Sequence, residues 1–194
     1  IDSSINDFFT RYPVPNHYTD LGNFGNAARP FIFTPFMRAG WDAGFHAYDV
    51  YRFTPENTKL YNTTRPYTEF AYLLGSKSEQ MISLLHTQNR RSNVNFGFEY
   101  RLMNAPGAFK NQNTNHNNIR INLSYTGKYK RYSNTLIYIS NKLRSSENGG
   151  VQDDNSLTGL TFNDPFVVPV RLGNASTFSR NFFNTTIYTG SLYD

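Results

Sequence analysis

The chain has 194 residues, a formal net charge of +5 and no cysteine, which excludes disulfides, thiolate catalysis and cysteine-based zinc sites. Aromatic residues make up 16% and charged residues 17% of it, while the mean hydropathy is −0.58. A chain rich in rings yet polar on average fits strands that are apolar at alternate positions; no run approaches the roughly 18 apolar residues of a membrane-spanning helix, and the scattered basic residues (Arg90, Arg91, Lys128, Lys130, Arg131) form no nucleic-acid stripe.

Over residues 1–44, Pro13, Pro15, Gly22, Gly25, Pro30, Pro35 and Gly40 break both helix and strand periodicity, which predicts an irregular ordered N-terminal segment. Residues 45–194 are read as the strand region. Phe31-Ile32-Phe33 and 45–53 are candidate first strands, the second poorly alternating, and 54–66 is a linker. Residues 67–74 then alternate cleanly, with Phe70, Tyr72 and Leu74 on one side and Glu69 and Ala71 on the other. After a turn at 76–79, a strand over 80–88 sets Ile82 and Leu84 against Met81, Ser83 and Leu85.

The segment 93–102 is the clearest strand. Val94, Phe96, Phe98, Tyr100 and Leu102 alternate without error with Asn93, Asn95, Gly97, Glu99 and Arg101. Beyond a polar loop at 103–117, residues 118–126 repeat the pattern, with Ile119, Ile121, Leu123 and Tyr125 against Arg120, Asn122 and Ser124. A basic turn at 128–131 precedes a strand over 132–143, a long Gly- and Asp-containing region follows, and 180–189 is the last candidate strand.

No segment carries a helical period, so the expected fold is all-β: an antiparallel meander of hairpins with about six to eight strands. A face that is wholly apolar beside one that is polar fits a transmembrane β-barrel. Phe70, Tyr72, Leu74, Val94, Phe96, Phe98, Tyr100, Leu102, Ile119, Ile121, Leu123 and Tyr125 are then the lipid-facing set. Glu69, Asn93, Asn95, Glu99, Arg101, Arg120, Asn122 and Ser124 are the lumen-facing set. Short turns at 89–92 and 128–131 alternate with long loops at 103–117 and 143–179, as periplasmic turns and external loops do in bacterial barrels. The linker at 54–66 is too long for a periplasmic turn.

Three stretches, PYTEFAYLLGSKSEQ (66–80), FGFEYRLMNAPGAF (96–109) and NTLIYISNKLRSSENGGVQDD (134–154), resemble the putative porin family of the Bacteroidota. The likeness rests on Pro66-Tyr67-Thr68-Glu69 opening a strand, the basic turn before Tyr132, and Glu147-Asn148-Gly149-Gly150 after the strand that follows; it covers about residues 40 to 155. It implies a large barrel in the bacterial outer membrane with long external loops. Family members are longer than this chain, so the resemblance implies an N-terminal part with an incomplete barrel and further strands after Asp194, since unpaired strand edges cannot face lipid. The partners it implies are outer-membrane lipid and lipopolysaccharide, with other outer-membrane proteins or lipoproteins beside them.

No enzyme signature stands against that reading. His17, His46, His86 and His116 show no metal-ligand spacing, and Asp153-Asp154-Asn155 beside Gly149-Gly150 lacks the spacing of a calcium loop. Ser83 and His86, three apart on a strand, point to opposite faces. The expectation is therefore no catalytic residue, no metal, no cofactor and no nucleic-acid partner. The leading function is passive passage of polar solutes. The alternatives are a non-conducting structural subunit of an outer-membrane assembly, and a soluble β-sandwich binding glycans through exposed aromatics. A second protein layer over the apolar faces would favour the sandwich.

Overall fold

The computed structural model describes residues 7, 11–33, 35, 37, 40–42, 44–90, 93–129, 132–154, 164–173 and 176–190. The two-residue strands β1 (Tyr18–Thr19) and β2 (Arg29–Pro30) pair with each other. Six long strands follow: β3 (Tyr67–Leu74), β4 (Gln80–Arg90), β5 (Val94–Ala105), β6 (Thr114–Thr126), β7 (Tyr132–Ser146) and β8 (Ser176–Gly190). They form one antiparallel sheet in sequence order. The expected meander is therefore present, but the sheet is open, with β3 and β8 as its edges; among the described residues no barrel closes.

Register follows the alternation, because a one-residue slip would move every side chain to the other face. Phe70 lies opposite Leu84, Leu84 opposite Tyr100, and Tyr100 opposite Ile119. Phe96 lies opposite Leu123, and Leu123 opposite Leu136. These rows make one face largely apolar, interrupted by His86, Gln88, Asn117, Ser140 and Lys142, and it is uncovered: Phe70 is 65% exposed, Leu74 70% and Phe182 54%.

The opposite face is covered by the chain's own N-terminal segment. Val14, Ala28 and Tyr51 pack with Met81, Met103 and Leu143, and Phe53 packs with Ile137 and Ile139. Of the eleven buried apolar side chains among the described residues, all but Val168 and Ala105 belong to these two clusters. The core thus lies between the sheet and residues 11–66, not between two sheets.

Several sequence expectations are corrected here. Residues 45–53, expected as a strand, contain none; Asp49–Tyr51 is a single 3-10 turn that buries Tyr51. Phe31-Ile32-Phe33 is not a strand and its three side chains are exposed. The loop expected at 103–117 shrinks to 106–113, because β5 continues to Ala105 and β6 starts at Thr114. Polar residues at Thr114, His116 and Asn118 hid that start; they are buried because they bond the N-terminal segment. Asn93 lies in the turn before β5, where its carbonyl accepts the Thr126 N–H at 2.8 Å. The last strand is longer than expected, Ser176–Gly190.

Candidate functional site

The covered face is where the sequence placed its lumen-lining residues. Its partner is a strap, residues 48–63, which crosses the sheet in the same direction as β6: Tyr51, Asn57 and Lys59 meet Asn118, Arg120 and Asn122 in turn.

At the loop end of the sheet, His116 is fully buried. Its Nε2 lies 2.6 Å from the Gly25 carbonyl, and its Nδ1 accepts the Arg144 backbone N–H at 3.3 Å. Since Nδ1 is an acceptor, Nε2 must carry the proton. Tyr51 and Tyr48 flank the ring, with centroids at 5.2 and 6.1 Å. Gly25 has φ +81°, and a Cβ there would sit 2.8 Å from the imidazole; glycine alone permits this approach. Thr114 donates to the Phe24 carbonyl, and Asn23 Nδ2 donates to the Gln112 carbonyl at 2.8 Å.

In the middle, asparagine side chains read the main chain of the strap. Asn118 Nδ2 donates to the Tyr51 carbonyl at 2.7 Å. Asn141 bonds both polar groups of Phe53, donating to its carbonyl at 2.8 Å and accepting its N–H at 3.0 Å. This is the pairing a neighbouring strand would give, and it satisfies backbone groups that would otherwise be buried at a cost. The guanidinium groups of Arg101 and Arg120 lie over the Phe53 ring, 4.7 and 4.5 Å from its centroid. Arg120 also pairs with Glu99 and donates to Asn57 Oδ1 at 2.7 Å.

Towards the other end, Asn122 Nδ2 donates to the Lys59 carbonyl at 3.1 Å, and Asn89 accepts the Thr63 N–H at 3.3 Å. Arg11 pairs with Glu69 at 3.2 Å. Outside the strands, His46 is clasped between Asp49 (2.8 Å) and Asp42 (2.7 Å); those hydrogen bonds, Asp49's first, raise its pKa. Burial pushes the Glu147 carboxyl up, against a lowering hydrogen bond from Ser145.

Of the residues expected on the lumen side, Asn95, Arg120 and Asn122 are buried and Glu99 and Arg101 are part-buried. Ser124 shares their face and is part-buried, and Glu69 is held by Arg11. The residues expected on the lipid side share the opposite, uncovered face. Sequence reading missed His116, Asn118, Asn141, Tyr51 and Phe53. The first two share the parity of Arg120 and Asn122, but residues 114–118 are polar at every position, so alternation did not single them out. Nothing in the local pattern announced the strap.

Ser83 and His86 do lie on opposite faces, and His86 Nδ1 is 2.8 Å from Thr68 Oγ1 instead. Among the described residues no group of three potential metal ligands is gathered, and no helix is long and apolar enough to cross a membrane. The site is thus a polar wall with a peptide bound along it. No curated protein and no solved structure matches the chain. A family model described as putative porin matches residues 6–190, which take in the strap, its partners and all six long strands, and the chain belongs to that family.

Proposed function

We propose that this chain forms part of the wall of an outer-membrane β-barrel of porin type, non-enzymatic, which as a whole passes polar solutes passively. Family membership carries the porin-like role in general form and implies an outer-membrane location. The finer reading rests on one observation: the apolar face of the sheet is bare, while the polar face is the one the chain covers. A water-soluble sandwich has the opposite economy, hiding its apolar face beneath a second sheet. On this reading Phe70, Phe96, Phe98, Ile121 and Leu123 meet lipid and lipopolysaccharide, and the strap lies inside the barrel.

Inside, the strap is a fixed constriction. Freeing it would expose Tyr51 and Phe53 and uncover Ile137 and Ile139, each 3% exposed or less. At about 1.5–3 kcal/mol per large apolar side chain, release costs on the order of 6–12 kcal/mol. Thermal opening of the strap is negligible against that barrier, so solutes pass beside it. The same burial is the specific observation favouring a second reading, a non-conducting subunit of an outer-membrane assembly. Conductance of the purified full-length protein in planar bilayers decides between them: discrete channel openings support the porin reading, and a silent, membrane-inserted protein supports the scaffold. Full recovery in the aqueous phase without detergent would overturn both.

A further inference from the structure

We infer that, on this wall, solutes meet the outer surface of the strap and not the polar side chains of the strands, and that Lys59 on the strap and Arg65 just beyond its end favour anions. The inference rests on the porin reading and names its solute class. Strand residues that alternation assigns to the lumen cannot touch a solute while the strap is docked: Asn118 is 0% exposed, Asn122 2%, and Asn95 and Arg120 5%. Each also has a polar group bonded to the strap or to a neighbouring strand, as Asn122 has to the Lys59 carbonyl and Asn95 to Thr87 Oγ1.

The charges divide the same way. On the covered face, Arg120 is neutralised by Glu99 and Glu69 by Arg11, while Arg101 lies over Phe53. On the strap side, Arg52 is held by Asp49 at 2.8 Å. Lys59 and Arg65 are exposed, and no carboxylate lies within ion-pair distance of either among the described residues. Glu56 is the one carboxylate between Arg52 and Arg65, so this stretch presents two cations to one anion. Lys59 sits over the sheet beside Asn122, and Arg65 lies two residues before β3 at the end where β4 turns into β5. Cations lining a narrow aqueous path raise the local concentration of anions and lower the barrier to their passage. Small carboxylates, phosphates and chloride are the class this chemistry takes.

The test uses the full-length protein in planar bilayers under a potassium chloride gradient. The wild type should favour chloride, and the double variant Lys59→Glu, Arg65→Glu should lower the chloride-to-potassium permeability ratio by about two- to threefold or more. An unaltered ratio in the double variant overturns the inference. A second measurement does not need current. Because the chain has no cysteine, Lys59→Cys and Asn122→Cys can be labelled singly with a water-soluble maleimide in reconstituted vesicles. Lys59→Cys should react at least about tenfold faster, following its exposure; equal or reversed rates overturn the placement. Absence of conductance with that order intact would overturn the porin reading and the anion preference, and would leave the strap as the water-contacting surface.

Discussion

Truncating Phe53 tests whether the strap is held as the geometry requires. Its ring is 3% exposed, packs on Ile137 and Ile139, and carries two guanidinium groups. Phe53→Ala removes the buried ring and leaves a cavity, a change that costs about 3–5 kcal/mol at buried phenylalanines. Phe53→Leu keeps most of the apolar burial and loses the two cation–ring contacts, at about 0.5–1 kcal/mol each, so it should cost about 1–2 kcal/mol. The Asn141 hydrogen bonds go to the main chain at position 53 and survive both changes. Equilibrium urea unfolding of the refolded protein, followed by circular dichroism, reads the two losses. Trypsin cleavage after Lys59 reads the strap alone: a 3 kcal/mol weakening of its docking should speed cleavage about 100-fold, since 1.4 kcal/mol is tenfold in an equilibrium. A Phe53→Ala loss below about 1 kcal/mol with unchanged proteolysis would refute docking of the strap on β6 and β7. Equal losses for Ala and Leu would refute the division between packing and cation–ring contact.

Three further outcomes follow from the same geometry. Phe98→Arg, on the bare face between His86 and Ile121, should weaken membrane assembly by about 2–4 kcal/mol if it lies at mid-membrane depth; undiminished yield of folded protein in vesicles counts against the lipid-facing orientation. Gly25→Ala, at φ +81° and with its Cβ 2.8 Å from the His116 ring, should cost about 1–3 kcal/mol through backbone strain and a displaced imidazole, and a urea midpoint equal to wild type would contradict that contact. His46 has a folded pKa raised by Asp49 and then Asp42, so the clasp is fully formed below the ordinary histidine pKa and is lost as pH rises through the raised value; Asp49→Asn should move the His46 ring titration, followed by NMR, back towards the ordinary value, and an unmoved titration would show that the bond is not made.

How much was legible in the sequence depended on whether a residue's partner lay nearby in the chain. The strands at 93–102 and 118–126 were readable because each face is specified by one chemistry, rings and aliphatics at Phe96, Phe98, Ile121 and Leu123 against Asn95, Glu99, Arg120 and Asn122. The extension of β6 back to Thr114 was not, since Thr114, Asn115, His116, Asn117 and Asn118 are five polar residues in a row and alternation carries no signal when both faces are polar. Their strand conformation is secured by contacts 67 to 91 residues away, Asn118 with Tyr51 and His116 with Gly25. The strap was invisible for the complementary reason. Its 3-10 turn and extended pieces bond through main-chain groups to distant side chains, and main-chain groups are identical at every position.

The covered face also changes what a polar strand face means. The register of the strands turns Asn118, Asn122 and Asn141 away from the apolar face, and it is natural to turn such residues towards water. Yet each is at most 2% exposed, and the same face holds Met81, Met103, Ile137, Ile139 and Leu143. A wall built only to contact water would have no use for buried methionine and isoleucine, and a purely apolar core would leave the strap's carbonyls and N–H groups unpaired at about 1–3 kcal/mol each. Asparagine resolves the conflict because one side chain offers a donor and an acceptor with the spacing of a peptide group, as Asn141 does for Phe53. Mixed amide and aliphatic composition on an inward face is thus the signature of a wall that binds its own chain. Replacing Asn141 by leucine, which keeps the branching and the number of side-chain heavy atoms and suits the apolar neighbours, tests the effect: it should destabilise the fold by about 2–5 kcal/mol through two orphaned backbone groups at Phe53. A gain in stability from that substitution would show that the inward face is an ordinary apolar core and that the strap needs no amide to hold it.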